Sequence, residues 1–142
     1  MELERTRFAR YSLEHGGGTL QLEWTAESAD LTEQEFRAGL VRLAELVEQH
    51  RARHVLVDVR QFGYRPARDF SPWRYAEILP RYNAAGVGKF AFCVPAGATG
   101  GEPAREKPGV FPTGYFDSQE AIDEWFAARE TEPLTSDYEE RA

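Results

Sequence analysis

Apolar and polar residues alternate in two short stretches near the start of the chain, Phe8 to Leu13 and Leu20 to Trp24, the second with Leu20, Leu22 and Trp24 at period two. That period predicts two strands with one buried face. Between them His15-Gly16-Gly17-Gly18 supplies the positive φ angles that a hairpin turn demands. Thr32 followed three residues later by Glu35 is a capping box. Phe36, Leu40, Leu43 and Val47 then repeat at i, i+4, i+7 and i+11, the buried stripe of an amphipathic helix ending near His50. Gly39 inside it costs helix stability and points to a close approach by another part of the chain.

His54 to Val59 (HVLVDV) is an apolar run of the length and composition of a buried parallel strand. Ser71-Pro72 reads as an N-cap followed by proline in the first turn. The helix it opens carries Trp73, Tyr75, Ile78 and Leu79 and meets Pro80, where a kink or an early end is expected. Gly86 closes that segment, and Lys89 to Val94 (KFAFCV) forms the next strand. Residues 95–109 hold four glycines and three prolines, which predicts a long surface loop. Gly114 to Phe116 is a short strand, and Asp117 with Glu120 forms a second capping box, opening a helix with Ala121, Ile122, Trp125 and Phe126 on one face. The predicted fold is α/β. An N-terminal antiparallel hairpin leads into parallel βα units in one mixed sheet packed with about three helices, with right-handed crossovers. One domain spans 1–129, and residues 130–142 form an acidic tail almost without apolar residues, expected to be disordered.

Composition narrows the class. In 142 residues, 42% hydrophobic and 13% aromatic, there is enough ring area for one core. No apolar run approaches the ~18 residues of a membrane span, and the first twenty residues lack the apolar centre of a signal peptide, so a cytoplasmic protein without integral membrane association is expected. A single cysteine, Cys93, fits a reducing compartment. The net charge of −7 opposes nucleic-acid binding. That charge is unevenly spread: residues 1–50, 51–107 and 108–142 carry −5, +5 and −7. The middle is locally cationic.

Most candidate chemistry reduces to structure. His50 and His54 have HxxxH spacing, but Arg51-Ala52-Arg53 bridges helix to strand between them, so no metal site is assigned. Cys93 sits mid-strand among aromatics, as a buried inert thiol would. Asp58 at a strand end has no catalytic companion near it in sequence and suits hydrogen bonding to the loop amides of Arg60 to Gly63. Gly97, Gly100 and Gly101 match no phosphate-binding pattern. No catalytic residue and no cofactor is assigned. One constellation remains. Between positions 60 and 81, five arginines (Arg60, Arg65, Arg68, Arg74 and Arg81) oppose Asp69 and Glu77, with Phe62, Tyr64, Phe70, Trp73, Tyr75 and Tyr82 interleaved. Arginine with aromatics is the composition of interaction hot spots and of anion sites. It is equally that of a core whose rings are buried and whose arginines solvate the rim.

The segments HVLVDVRQF, WRYAEILPRYNAAGVGKFAFCVP and YFDSQEAIDEWF, in that order, resemble the SpoIIAA-like superfamily, which includes STAS domains and lipid-exchange (SEC14-like) domains. The chain resembles the small bacterial single-domain members of that group over residues 8–128. The resemblance implies a non-enzymatic regulatory or protein-interaction domain. Anti-sigma-antagonist STAS domains are phosphorylated on a serine in an Asp-Ser-x-Gly motif. Here Arg-Asp-Phe-Ser-Pro-Trp stands in its place, with Ser71 at the comparable position, and no phosphorylation is carried over. The leading expectation is a protein partner with an acidic face, bound through Arg60, Tyr64, Arg65, Arg68, Ser71, Trp73 and Arg74. The alternative is a small anionic or amphipathic, lipid-like ligand between the same segment and loop 95–109. A homodimer, by an exposed hairpin edge or the aromatic helix, is compatible with the sequence.

Overall fold

The glycine-rich turn closes as its residues require. His15, Gly16 and Gly17 have φ of 54°, 68° and 96°, the left-handed region in which glycine avoids the Cβ clash. The flanking strands β2 (Ala9–Glu14) and β3 (Thr19–Trp24) pair antiparallel, with Tyr11 opposite Leu22 and Leu13 opposite Leu20. A strand that the apolar pattern does not announce precedes them: β1 (Glu2–Arg5), of sequence ELER. It pairs antiparallel with β2 and so covers the hairpin edge that dimerisation was expected to use. Its own outer edge is short and charged, which discourages strand pairing.

The computed structural model describes residues 1–98, 104–106 (backbone only) and 111–128. The expected tail 130–142 and residues 99–103 and 107–109 of the expected loop lie outside the described residues. Within that stretch β6 (Ala104–Glu106) pairs antiparallel with β7 (Thr113–Phe116), so it is not loop throughout. The reason is backbone demand, because the outer N–H and C=O groups of β7 take partners from the returning chain.

The capping box at α1 (Glu33–His50) forms in both directions: Thr32 Oγ1 accepts from the Glu35 amide at 3.1 Å, and Glu35 Oε1 accepts from the Thr32 amide at 2.9 Å. Phe36, Leu40, Leu43 and Val47 are all buried. Strands β4 (His54–Asp58), β5 (Lys89–Cys93) and β7 each run parallel to the preceding neighbour, giving the sheet order β1-β2-β3-β4-β5-β7-β6. The fold is thus a mixed α/β sheet, an antiparallel hairpin followed by parallel strands.

Between β4 and β5 the chain is helical in three pieces: α2 (Phe70–Trp73), a π-helical turn (Arg74–Ile78) and α3 (Leu79–Ala85). Ser71 does not cap this helix. Asp69 stands at the cap position, but its carboxylate accepts from Arg37 of α1 at 2.8 Å instead of capping, and Ser71 falls inside the first turn. A tertiary ion pair overrides the local signal. Pro80 does not end the helix either. The π turn, in which the Leu79 amide reaches back to the Arg74 carbonyl, brings Pro80 in as the second residue of α3, where its missing N–H costs little. Gly86, at φ 93°, stops α3 as expected.

Helix α4 (Gln119–Ala127) is capped by Ser118, whose hydroxyl accepts from the Ala121 amide at 3.2 Å, and not by the expected Asp117. The Asp117 carboxylate is engaged by the Gly97 amide at 3.3 Å. Three layers result. On one face α1 and α3 bury Tyr11, Leu22, Trp24, Val55, Val57 and Phe90. On the other, Ile122, Trp125 and Phe126 of α4 cover Leu56, Ala91 and Cys93. The close approach expected at Gly39 is present: its carbonyl accepts from the Tyr11 hydroxyl at 2.8 Å, and the Trp24 ring lies against its bare Cα. No described helix is long and apolar enough to cross a membrane.

Candidate functional site

Beyond β4 the chain runs as a strap over the edge of the sheet, and side chains of other elements hold it down. Asp58, buried at the strand end, accepts from the Arg60 amide at 3.0 Å and from the Arg60 guanidinium at 2.7–3.2 Å. The expected loop-amide role of Asp58 is therefore met at Arg60. The amide of Gly63 instead donates to Oγ of fully buried Ser28 at 2.9 Å. Further along, Glu33 in the first turn of α1 accepts from the Tyr64 hydroxyl, from the Ala67 amide at 2.9 Å and from Arg37 at 2.7 Å. Arg37 also reaches Asp69, and its guanidinium lies 5.1 Å from the Trp73 ring centroid. Burial raises the Glu33 carboxyl, but the hydrogen bonds from Tyr64, Ala67 and Arg37 outweigh it and hold the group below its ordinary value. The anchor is accordingly in place at neutral pH and weakens as acid protonates that carboxylate.

Under the strap lies a cavity of about 290 Å³. The sheet contributes Trp24, Val57, Phe90, Phe92 and Tyr115; α1 contributes Phe36 and Leu40; the strap contributes Phe62 and Pro66. The helical segment presents Phe70, Ser71, Arg74 and Tyr75 at i, i+1, i+4 and i+5, one face of a helix. Among the described lining residues Arg74 is the single charged side chain. Its guanidinium lies 5.5 Å from the Phe90 ring centroid and 5.7 Å from that of Phe92, cation–π distances both. Its Nη2 is sealed from solvent with no hydrogen-bond partner among the described residues. The arrangement suits a ligand with an apolar body and one polar group that accepts hydrogen bonds.

No family model, curated protein or solved structure matches this chain. The site's own geometry therefore has to carry the functional reading. The seven residues expected to form one face are divided by the structure into four groups. Arg60 is held by Asp58, and that contact raises its pKa further. Tyr64 and Trp73 are half-buried and tied to Glu33 and Arg37 of α1. Ser71 and Arg74 border the cavity. Arg65 and Arg68 point outward, exposed and without a hydrogen bond or ion pair to any described residue. Of the expected second wall, residues 95–98 do not line the cavity, and α1 with the sheet takes their place. Sequence reasoning missed Glu33 and Arg37 as strap anchors, and Trp24, Leu40, Phe92 and Tyr115 as lining. Nothing local marks them, because they come from separate elements.

The other candidates stay structural. His50 ends α1, and His54 begins β4 with its ring stacked on Phe126 at 4.5 Å. Among the described residues no group of three His, Cys, Asp or Glu is placed to hold a metal. Cys93 is buried, and burial together with the Asp58 charge pushes its thiol above the ordinary value, Arg60 opposing only in part. A thiol so placed is a poor nucleophile at neutral pH.

Proposed function

We propose that this protein is a non-enzymatic, STAS-like domain whose task is to bind a small amphipathic molecule in the cavity beneath the strap. The observation that carries this reading is the cavity itself. Small-molecule sites are concave, mostly apolar and few per protein. A space of about 290 Å³ walled by nine aromatic and several aliphatic side chains stands near the lower end of small-molecule sites, roughly 300–1,000 Å³. The SpoIIAA-like resemblance of the sequence and the mixed sheet are consistent with a binding role, and among the described residues no nucleophile–base pair argues for chemistry instead.

The test is thermal shift with decanol and 2-naphthol, with native mass spectrometry of the purified protein beside it. A ligand at a hundred times its Kd stabilises the native state by about 2.7 kcal/mol, a rise in Tm of several degrees. Ser71→Trp, a substitution at the exposed rim that plugs the cavity without touching the core, is expected to abolish that rise. An undiminished response in the plugged variant would place the ligand elsewhere.

A second reading is favoured by Arg65 and Arg68, which stand exposed and unpaired among the described residues. They suit an acidic protein partner on the outer side of the strap. Replacing both by glutamate is then expected to remove bait-specific partners from a pull-down with Tm unchanged. Recovery of the same partners with both proteins sinks this reading.

A further inference from the structure

We infer that Arg74 is an acid-recognition residue, and that the cavity selects carboxylic acids with a compact aliphatic or aryl body over their neutral and phosphorylated counterparts. The inference rests on the cavity being a ligand site and adds what the ligand must carry.

Burying a cation without a partner is costly, and structures normally pair such groups or leave them in water. Arg74 has neither arrangement at Nη2, which is sealed from solvent and makes no hydrogen bond among the described residues. The rings of Phe90 and Phe92 on β5 lie within cation–π distance and help to position the guanidinium. What Nη2 lacks, among the described residues, is an acceptor. The backbone contributes to its placement, since Arg74 begins the π turn and its carbonyl accepts the wide hydrogen bond from the Leu79 amide. Such turns are rare and recur at functional sites.

The kind of anion follows from charge and shape. A carboxylate offers two coplanar oxygens that match the fork of a guanidinium. It carries one negative charge, and the described lining holds one cation and no carboxylate, so the bound pair is neutral. A phosphate monoester carries about −1.5 to −2 at neutral pH, which would leave charge uncompensated among apolar walls. The two nearby exposed arginines, Arg65 and Arg68, do not line the cavity and so do not make up that difference. Ser71, one turn before Arg74 on the same helical face, lines the site as well and supplies a hydroxyl that can serve the second oxygen.

The experiment measures affinity by calorimetry for two matched pairs, decanoate with decanol and 2-naphthoate with 2-naphthol, and for decyl phosphate. Wild type is expected to bind at least one acid about 10- to 100-fold more tightly than its alcohol, and more tightly than decyl phosphate. Arg74→Met keeps an unbranched apolar side chain against Phe90 and Phe92. It is expected to lose that preference while holding alcohol affinity within a few-fold; Arg74→Lys, which keeps the charge without the fork, is expected to fall between. Retained alcohol binding shows that the variants are folded. Equal binding of acid and alcohol by wild type, or undiminished acid preference in Arg74→Met, overturns acid recognition and leaves the cavity reading intact. Failure of every probe to bind wild type overturns both.

Discussion

Replacing Lys89 by methionine is expected to destabilise the fold by about 2–3 kcal/mol and to lower Tm by about 10 °C. Lys89 opens β5 and is buried. Its Nζ donates to the carbonyl of Trp125 at 2.6 Å and to that of Ala128 at 2.8 Å, across the sheet at the end of α4. The last carbonyls of a helix have no intrahelical partner and carry the negative end of its dipole, so a buried ammonium there satisfies both. Methionine keeps the stem and removes three donors. The Trp125 carbonyl is then left buried without its charged partner, a loss of ~1.5–3 kcal/mol for each hydrogen bond to a charged group. Relief of the lysine's own desolvation offsets part of that. The readouts are a thermal melt and Trp125 fluorescence, which shifts red as α4 loosens. A Tm within about 2 °C of wild type would show that the contact is dispensable.

Gly39→Ala is expected to destabilise as well, by about 1–2 kcal/mol, although alanine is the better helix former by about 1 kcal/mol. A Cβ at position 39 would stand 2.8 Å from Cη2 of Trp24 and 3.4 Å from the Tyr11 hydroxyl. Trp24 is buried, packed at centroid distances of 5.6 Å against Phe36 and 5.4 Å against Phe62, so the ring has little freedom on those sides. Overpacking of this kind costs ~1–3 kcal/mol. The side on which Trp24 can yield is the cavity, which it lines. The substitution is therefore expected to weaken decanoate binding along with stability, in a variant remote from Arg74. Urea titration with tryptophan emission reads the first effect and calorimetry the second. A gain in stability matching helix propensity would mean that the ring gives way freely.

Both substitutions lie at positions where the sequence said something true but incomplete. Gly39 signalled a close neighbour without saying which; only the β3 register brings Trp24 to it. Lys89 reads as the polar start of an apolar strand, and nothing nearby in sequence shows that its ammonium crosses to a helix 36 residues on. Local signals were dependable where one residue competed for one role. Thr32 and Glu35 close on each other because each is the other's nearest partner. Where a remote group competed, the local signal failed: the Asp69 carboxylate pairs with Arg37 and α2 has no side-chain cap, while Asp117 is engaged by the Gly97 amide and Ser118 caps α4 in its place. Strand β1 escaped notice for a related reason. ELER has no apolar alternation, and its place in the sheet comes from backbone pairing to β2, which no side-chain pattern records.

The arginine-rich segment shows the same division at the site. The chain by itself determined the order of elements, the hairpin, the stripe of α1 and the parallel strands, because turn chemistry and hydrophobic periodicity act over a few residues. It also located a cationic, aromatic stretch after β4. It could not say which of those arginines is paired, which is exposed and which is buried, since that depends on carboxylates and rings supplied from elsewhere. Asp58 takes Arg60, Glu33 and Arg37 of α1 pin the strap that leaves Arg65 and Arg68 outside, and the rings of β5 receive Arg74. A local sum of charge is a property of the sequence. The absence of a partner at Arg74 Nη2 among the described residues arises only when four strands, α1 and a π turn converge on one cavity.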